Sequence, residues 1–320
     1  MWRTGRKAHC THRSVTAHRR TGGDWSGTMR EDMNIQWYPG HMTKARRMIT
    51  ANLKLIDAVC EIIDARIPFS SRNPELNDMT GGKPRLIVLN RMDQADPGIT
   101  KKWAAHFRKD GAAVIETDSK SGKGVGDLYP AVRTLLAEKL AKYASKGQSG
   151  RQLRLMVVGI PNVGKSSFIN RIAKRKVANT SDKPGVTRGK QWINLENGIE
   201  LLDTPGVLWP KFEDQTIAEN LAFTGAIRDQ VMDVETLSAN LMSRLYEYYP
   251  ERIAQRYKIE ISAGLSGYEL LTLAAAKRGF LISGGEYDLE RMATILLDEF
   301  RGGKLGRISL ENVGANCVCP

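Results

Sequence analysis

Apolar residues in this chain fall into short runs, and helically spaced segments separate them. AVCEIIDA (58–65), RLIVLNRMD (85–93), AAVIETDS (112–119) and LRLMVVG (153–159) read as buried strands, the first ending at Asp64, the next two closing on polar residues and the last on glycine. Between them, TKARRMITANLKLID (43–57), ITKKWAAHFRKDG (99–111) and GVGDLYPAVRTLLAEKLAKYA (124–144) read as helices. KSSFINRIAK (165–174) continues as a helix, QWINLE (191–196) and IELLDTPG (199–206) form a strand pair, and the pattern from 211 onward is helical. SKGQSGR (145–151) has the composition of a linker.

Strands alternating with helices predict an α/β fold, a mostly parallel sheet with helices on both faces. A small all-helical C-terminal domain follows. The predicted division is 33–210 for the α/β domain and 211–320 for the helical one, in line with the two domains that 320 residues suggest. Residues 1–32 are rich in Arg, His and Thr and read as a disordered or spurious extension, with Met33 as the start. They hold no apolar core for a secretory signal. Their arginines fit a mitochondrial transit peptide, but Asp24, Glu31, Asp32 and the lack of an apolar helical face do not.

Charge changes the picture more than composition does. Hydrophobic content of 41% and charged content of 26% are ordinary. No apolar run approaches the roughly 18–20 residues of a membrane span, so the expected location is the cytoplasm, with an organelle matrix as the lesser choice. The net charge is +13. Residues 33–210 hold 29 basic against 16 acidic side chains, and residues 211–320 hold 12 against 16. The central excess attracts polyanions such as RNA, or else is a solvated surface that keeps the chain in solution. Cys10, Cys60, Cys317 and Cys319 show neither zinc spacing nor a disulfide framework.

Each candidate motif lies at a strand's carboxyl end or just beyond it, where such sheets bind ligands. GIPNVGKSS (159–167) contains G-x-x-x-x-G-K-[ST] between a strand and a helix. The backbone of Pro161, Asn162, Val163 and Gly164 would curl around phosphates, aided by the following helix. Lys165 would reach the outer phosphates, Ser166 would ligate magnesium, and Ser167 follows in the helix. DTPG (203–206) supplies Asp203 to hold magnesium through water and the Gly206 N–H to meet the terminal phosphate. In DKPGVTRG (182–189), Thr187 is the second magnesium hydroxyl.

NRMD (90–93) is a guanine-reading loop. Asp93 can accept from both guanine N1 and the 2-amino group, and Asn90 can brace the loop. Arg91 stands where N-K-x-D has lysine and can stack as a planar cation. TDSK (117–120) is the base-covering loop, with Ser119 and Lys120. All these segments precede the phosphate loop, whereas they usually follow it. The set is complete and the order rotated, which a sheet tolerates if the old termini are joined. The sequence therefore predicts a circularly permuted P-loop GTPase domain that uses GTP and Mg2+.

From 33 to about 311 the chain resembles the YlqF/RbgA family of permuted GTPases. The resemblance is carried by IQWYPGHMTKA (35–45), DARIPFSSRNP (64–74), GIPNVGKSSFIN, DKPGVTRG, LLDTPGVLWPKFED (201–214), LAFTGAIRD (221–229), KRGFLISGG (277–285) and GKLGRISLE (303–311). The chain departs from it at Arg91 and at both ends. The residue after DTPG is Val207, which cannot orient a water, and the resemblance points to His41 for that task. Asn162 resembles the asparagine of GTPases that place potassium against the phosphates. The implied function is assembly of the large ribosomal subunit. The chain would bind a late precursor and its rRNA, then leave after ribosome-stimulated hydrolysis, as a monomer off the ribosome. Alternatives are a small-subunit role or a GTP switch with a protein partner. A metabolic P-loop kinase is disfavoured by DTPG and the guanine loop.

Overall fold

The computed structural model describes residues 35, 41–148, 150–178 and 191–314, with the backbone alone at His41. Residues 1–32, the segment 182–189 with Thr187, and the cysteines at 10, 317 and 319 lie outside the described residues.

Six strands form one sheet: β1 (Ala58–Asp64), β2 (Arg85–Asn90), β3 (Ala113–Glu116), β4 (Leu153–Val158), β5 (Gln191–Asn194) and β6 (Ile199–Asp203). Their spatial order is β3-β2-β1-β4-β6-β5. All neighbours are parallel except the edge pair β5–β6, which is antiparallel. The strands are apolar on both faces because both faces are covered. Ala58, Cys60 and Ile62 of β1, with Leu155 and Val157 of β4, enter one core, and Val59 and Met156 enter another on the opposite side.

The first face is covered by α4 (Leu128–Leu135) and α6 (Lys165–Ile172), through Leu128, Val132, Phe168 and Ile169. On the second lie α1 (His41–Asn52) and α2 (Leu76–Thr80), through Ile49 and Leu76. There α3 (Pro97–Lys109) also packs, with Trp103 and Phe107 against Ile87 and Leu89.

Helix boundaries differ from the periodic pattern for local reasons. Helix α3 begins at Pro97, not 99, because Asp96 Oδ1 accepts from the Gly98 and Ile99 N–H groups at 2.8 and 2.9 Å. The helix expected over 124–144 is broken. A short 3-10 turn (Val125–Asp127) precedes α4, and α5 (Ala137–Ser145) starts anew after Leu136. Leu128, Val132 and Leu136 carry the buried spacing, and α5 buries no residue fully. Helix α2 is five residues long, too short to show a period.

Beyond the sheet come α7 (Gln215–Phe223), α8 (Val234–Tyr248), α9 (Pro250–Tyr257), α10 (Gly267–Arg278) and α11 (Leu289–Arg301). The other four helices pack around α8. Acidic or hydroxyl caps start four of them: Asp214, Asp233, Ser266 in a reciprocal box with Glu269, and Asp288. Each cap contributes about 1 kcal/mol. A small antiparallel bridge, Leu281 to Tyr287, interrupts the helices. The chain end then returns to the α/β part. Ile308 N donates to Gln94 O and Leu310 N to Arg66 O, both at 2.8 Å. The buried Glu311 carboxylate accepts from Phe69 N at 2.6 Å and Asn220 Nδ2 at 2.9 Å. Among the described residues, no helix is long and apolar enough to cross a membrane.

Candidate functional site

The carboxyl ends of β1, β2, β4 and β6 converge, and their loops touch. Asn90, the last residue of β2, is the central brace. Its Nδ2 donates to the Val163 carbonyl in the phosphate loop at 2.9 Å. Its Oδ1 accepts from Thr117 Oγ1 at 3.2 Å, Ser119 N at 3.2 Å and Ser119 Oγ at 2.7 Å. One buried amide thus ties three separated segments together. A Cβ on Gly164 would come within 2.3 Å of Asn90 Nδ2, so the contact also requires glycine there.

Arg91 adopts a left-handed backbone, φ 62°, and ends β2 earlier than the apolar run suggested. Its Nη2 donates to Asn162 O at 2.8 Å and its Nη1 to Arg301 O at 3.4 Å. Its Nε lies 3.7 Å from Asp64 Oδ2. The cation that the sequence suggested would stack on a base here cross-links the NRMD loop to the phosphate loop and to the end of α11. Asp93 is exposed at the mouth. Partial burial and then the neighbouring Asp118 raise its carboxyl above the ordinary value. Asp118 itself is buried and sits lower than usual. Desolvation opposes this, but donors from Ser121 and Lys120 outweigh it. Lys120 is exposed beside it.

The phosphate loop is rigid on its buried side. Pro161 and Val163 are buried, Asn162 and Ser166 are half-buried, and Ser167 is exposed at the first turn of α6. Asn162 has φ 58°, and its Nδ2 donates to Gly225 O, just past α7, at 2.7 Å. Lys165 folds back on its own loop, with Nζ 3.1 Å from Gly159 O and 2.7 Å from Ile160 O. Burial pushes this ammonium down to about 8, against the pull of Asp203. Burial likewise pushes Asp203 up to about 6, with Lys165 and the Thr204 N–H opposing. Asp203 Oδ1 is buried and has no hydrogen-bond partner among the described residues. A bound cation or its water shell satisfies such an atom.

DTPG closes the other side. Gly206 lies against the phosphate loop so closely that a Cβ would sit 2.7 Å from Pro161 N. Val207 is buried; its N–H donates to Gly159 O at 3.2 Å and its carbonyl accepts from Asn73 Nδ2 at 3.2 Å. It holds the loop and offers nothing to a water. Helix α1 begins at His41.

The structure adds residues to which sequence reasoning gave no role. Asp64 ends β1 and binds the buried Arg66 twice, at 3.0 Å through Nε and 2.7 Å through Nη2. Arg66 Nη1 donates to Phe300 O at 3.0 Å. The D-x-R spacing at a strand end was the available signal. Its partner 234 residues away was not visible.

Comparison with known proteins agrees with this geometry. Residues 154–255 match the family described as 50S ribosome-binding GTPase. The chain is 45% identical over 280 residues to ribosome biogenesis GTPase A of Bacillus cereus, covering 87% of this chain and 94% of that protein. It is 35% identical over 277 residues to the protein of that name from Thermotoga maritima, covering 87% and 94%. The crystal structure of GNP-bound YlqF from T. maritima superposes with a TM-score of 0.58 at 32% identity, covering 84% of this chain and 98% of that one.

Proposed function

The chain belongs to the ribosome biogenesis GTPase A family and hydrolyses GTP, and we propose that this hydrolysis times its release from an assembling large ribosomal subunit. In this reading the chain acts in the cytoplasm, as a monomer when off the ribosome. It binds a late large-subunit precursor and its rRNA with GTP, and leaves when the subunit stimulates hydrolysis. Residues 33–210 form the permuted GTPase domain, and 211–320 the helical domain that reads its state.

The observation that carries the proposal is the direct bonding of nucleotide loops to the helical region. Asn162 holds Gly225, and Arg91 holds Arg301. The DTPG segment that meets the terminal phosphate lies against Pro161 of this phosphate loop and runs directly into the helical region, so its state acts on helices that touch a partner.

Within the site, Asp93 reads guanine, Asn90 and Ser119 hold the base loops, and Arg91 and Lys120 flank the base. The N–H groups of 162–167 and of Gly206 cradle phosphate. Phosphate draws Lys165 Nζ from the Gly159 and Ile160 carbonyls and favours its charged form. The residues present fit magnesium: Ser166, Thr187 and, through water, Asp203 would hold it, and Asp203 Oδ1 needs such a partner. Magnesium, when bound, neutralises charge on the phosphates. Potassium would add to this at Asn162. Its amide nitrogen is committed to Gly225, so cation contact by this side chain falls to Oδ1. Val207 leaves the attacking water without a side-chain partner from DTPG, and His41 takes that role.

The test is GTP turnover in potassium buffer with purified large subunits, and with small subunits as control. Selective stimulation by the large subunit is expected. Equal or absent stimulation by an enzyme that binds GTP overturns the large-subunit reading.

A further inference from the structure

Six cations separated in sequence meet at the rim of the guanine site. Lys120 ends the base-covering loop and Lys123 lies three residues beyond it, Arg171 belongs to the last turn of α6, and Lys174, Arg175 and Lys176 to the turn after it. All six are exposed. Arg171 joins the two segments: its Nε donates to Ser119 O at 3.3 Å, and its Nη2 donates to Lys120 O. The turn after α6 is held in shape by Asn170. That side chain accepts from Val177 N at 2.8 Å and Ala178 N at 2.7 Å, and donates to Ala178 O at 2.8 Å. Lys174 takes φ 53° to make the turn. The cations thus stand on two short segments fixed to each other.

Little acid offsets them. Lys174 pairs with Glu196 at 3.0 Å, and among the described residues the other exposed carboxylates nearby are Asp127 and, on the guanine loop, Asp93. Asp118 is buried, with Oδ1 bound by Lys120 N at 2.8 Å and Ser121 N at 3.2 Å.

We propose that these two segments form one ledge that grips the sugar-phosphate backbone of RNA beside the guanine site. The inference rests on the ribosomal reading above and deepens it by placing RNA contact on the GTPase domain's rim. One feature favours RNA over a protein partner, and two more place the contact on the ledge. The exposed large apolar side chains among the described residues are Leu55, Val231, Tyr248, Leu273, Leu281, Ile282 and Tyr287, none of them on the ledge. A protein interface needs such anchors at its centre, whereas phosphate contacts need only positioned cations. Residues 211–320 are net acidic, so long-range attraction for a polyanion does not come from there. The ledge backbone is already ordered, which lowers the entropic cost of binding.

The experiment titrates the full chain into a fluorescent RNA duplex of about 20 base pairs at several KCl concentrations. The variant Lys123→Glu/Arg175→Glu/Lys176→Glu changes side chains that make no hydrogen bond or ion pair to a nucleotide-site residue among the described residues. Binding should weaken at least about tenfold near 100 mM salt, and the slope of log K against log salt should fall by about 2. GTP turnover without RNA, and the melting temperature, should stay at wild-type values. Lys142→Glu/Lys146→Glu, in the last turn of α5 and just after it, should keep wild-type binding. The exchange Lys123→Arg/Arg175→Lys/Lys176→Arg should keep it too. Undiminished binding by the ledge variant, or equal loss in the α5 variant, overturns the proposal. The parent reading has a separate readout. If large subunits stimulate wild type and the ledge variant binds RNA normally, the ledge alone fails. If large subunits do not stimulate wild type, the parent reading fails, and duplex binding still decides the ledge.

Discussion

The Asn162 side chain donates to the carbonyl of Gly225 at 2.7 Å, bonding the phosphate loop to the helical region across 63 residues. Asn162→Ala removes this donor and leaves a carbonyl beside α7 short of a partner. A loss of about 1 kcal/mol in stability is expected, with faster amide exchange around 225–227. Two turnover assays, in potassium and in sodium, separate this brace from cation binding. If Asn162 also ligates potassium, the variant loses the potassium advantage. An unchanged potassium-to-sodium ratio removes the cation role and leaves the brace.

Asn90 ties the base-covering loop and the phosphate loop to the end of β2 through one side chain. Asn90→Ala cuts the bonds to Val163, Thr117 and Ser119 at once. Buried donors left unpaired cost about 1–3 kcal/mol each. GDP affinity, followed with a fluorescent nucleotide, should fall roughly 100-fold, since about 2.7 kcal/mol is lost for that factor. A fall below about threefold would show that the loops hold their shape without it.

Arg91 tests whether the cation at this place acts by charge or by reach. Its fork spans Asn162 O, Arg301 O and Asp64. Lysine is a point charge and cannot make all three contacts. Arg91→Lys should therefore weaken GDP binding about tenfold and lower the melting temperature, although the more common motif has lysine here. Wild-type behaviour in Arg91→Lys would show that the cross-link carries no weight.

The order of the motifs, their positions at strand ends and the mostly parallel sheet were legible because each is a local pattern. GIPNVGKSS and DTPG need only neighbouring residues to be recognised. Asn90 was legible as a loop brace, but its bond to Val163 was not, because the two lie 73 residues apart. The same holds for Arg91. The sequence showed a cation where the motif has lysine. That it spans three contacts depends on α11 and β1, which no local pattern locates. The return of Ile308–Glu311 to Arg66 and Gln94 was hidden for the same reason. The ends of α3 were misplaced by two residues where capping by Asp96 overrode apolar spacing, and the single helix read over 124–144 is broken at Leu136.

Glu299 of α11 gives the helical region an acid-sensitive bond. It is buried, and accepts from Arg256 Nε and Tyr257 OH at 3.0 Å and from Arg278 Nη2 at 2.9 Å. Burial alone raises a carboxyl, but here the Arg256, Arg278 and Tyr257 donors override it and bring Glu299 down to about 2. The folded value lies below the unfolded one, about 4.3. Its stabilisation is therefore fully present above about pH 4.3 and is lost as pH falls toward 2. Glu299→Gln keeps the shape and removes the charge. At pH 7 it should cost on the order of 2 kcal/mol, read from urea midpoints. Between pH 4 and 2 the gap between wild type and variant should close, because protonation neutralises the wild-type carboxyl as well. A gap that stays constant across that window would mean that the three donors stabilise Glu299 no better folded than unfolded.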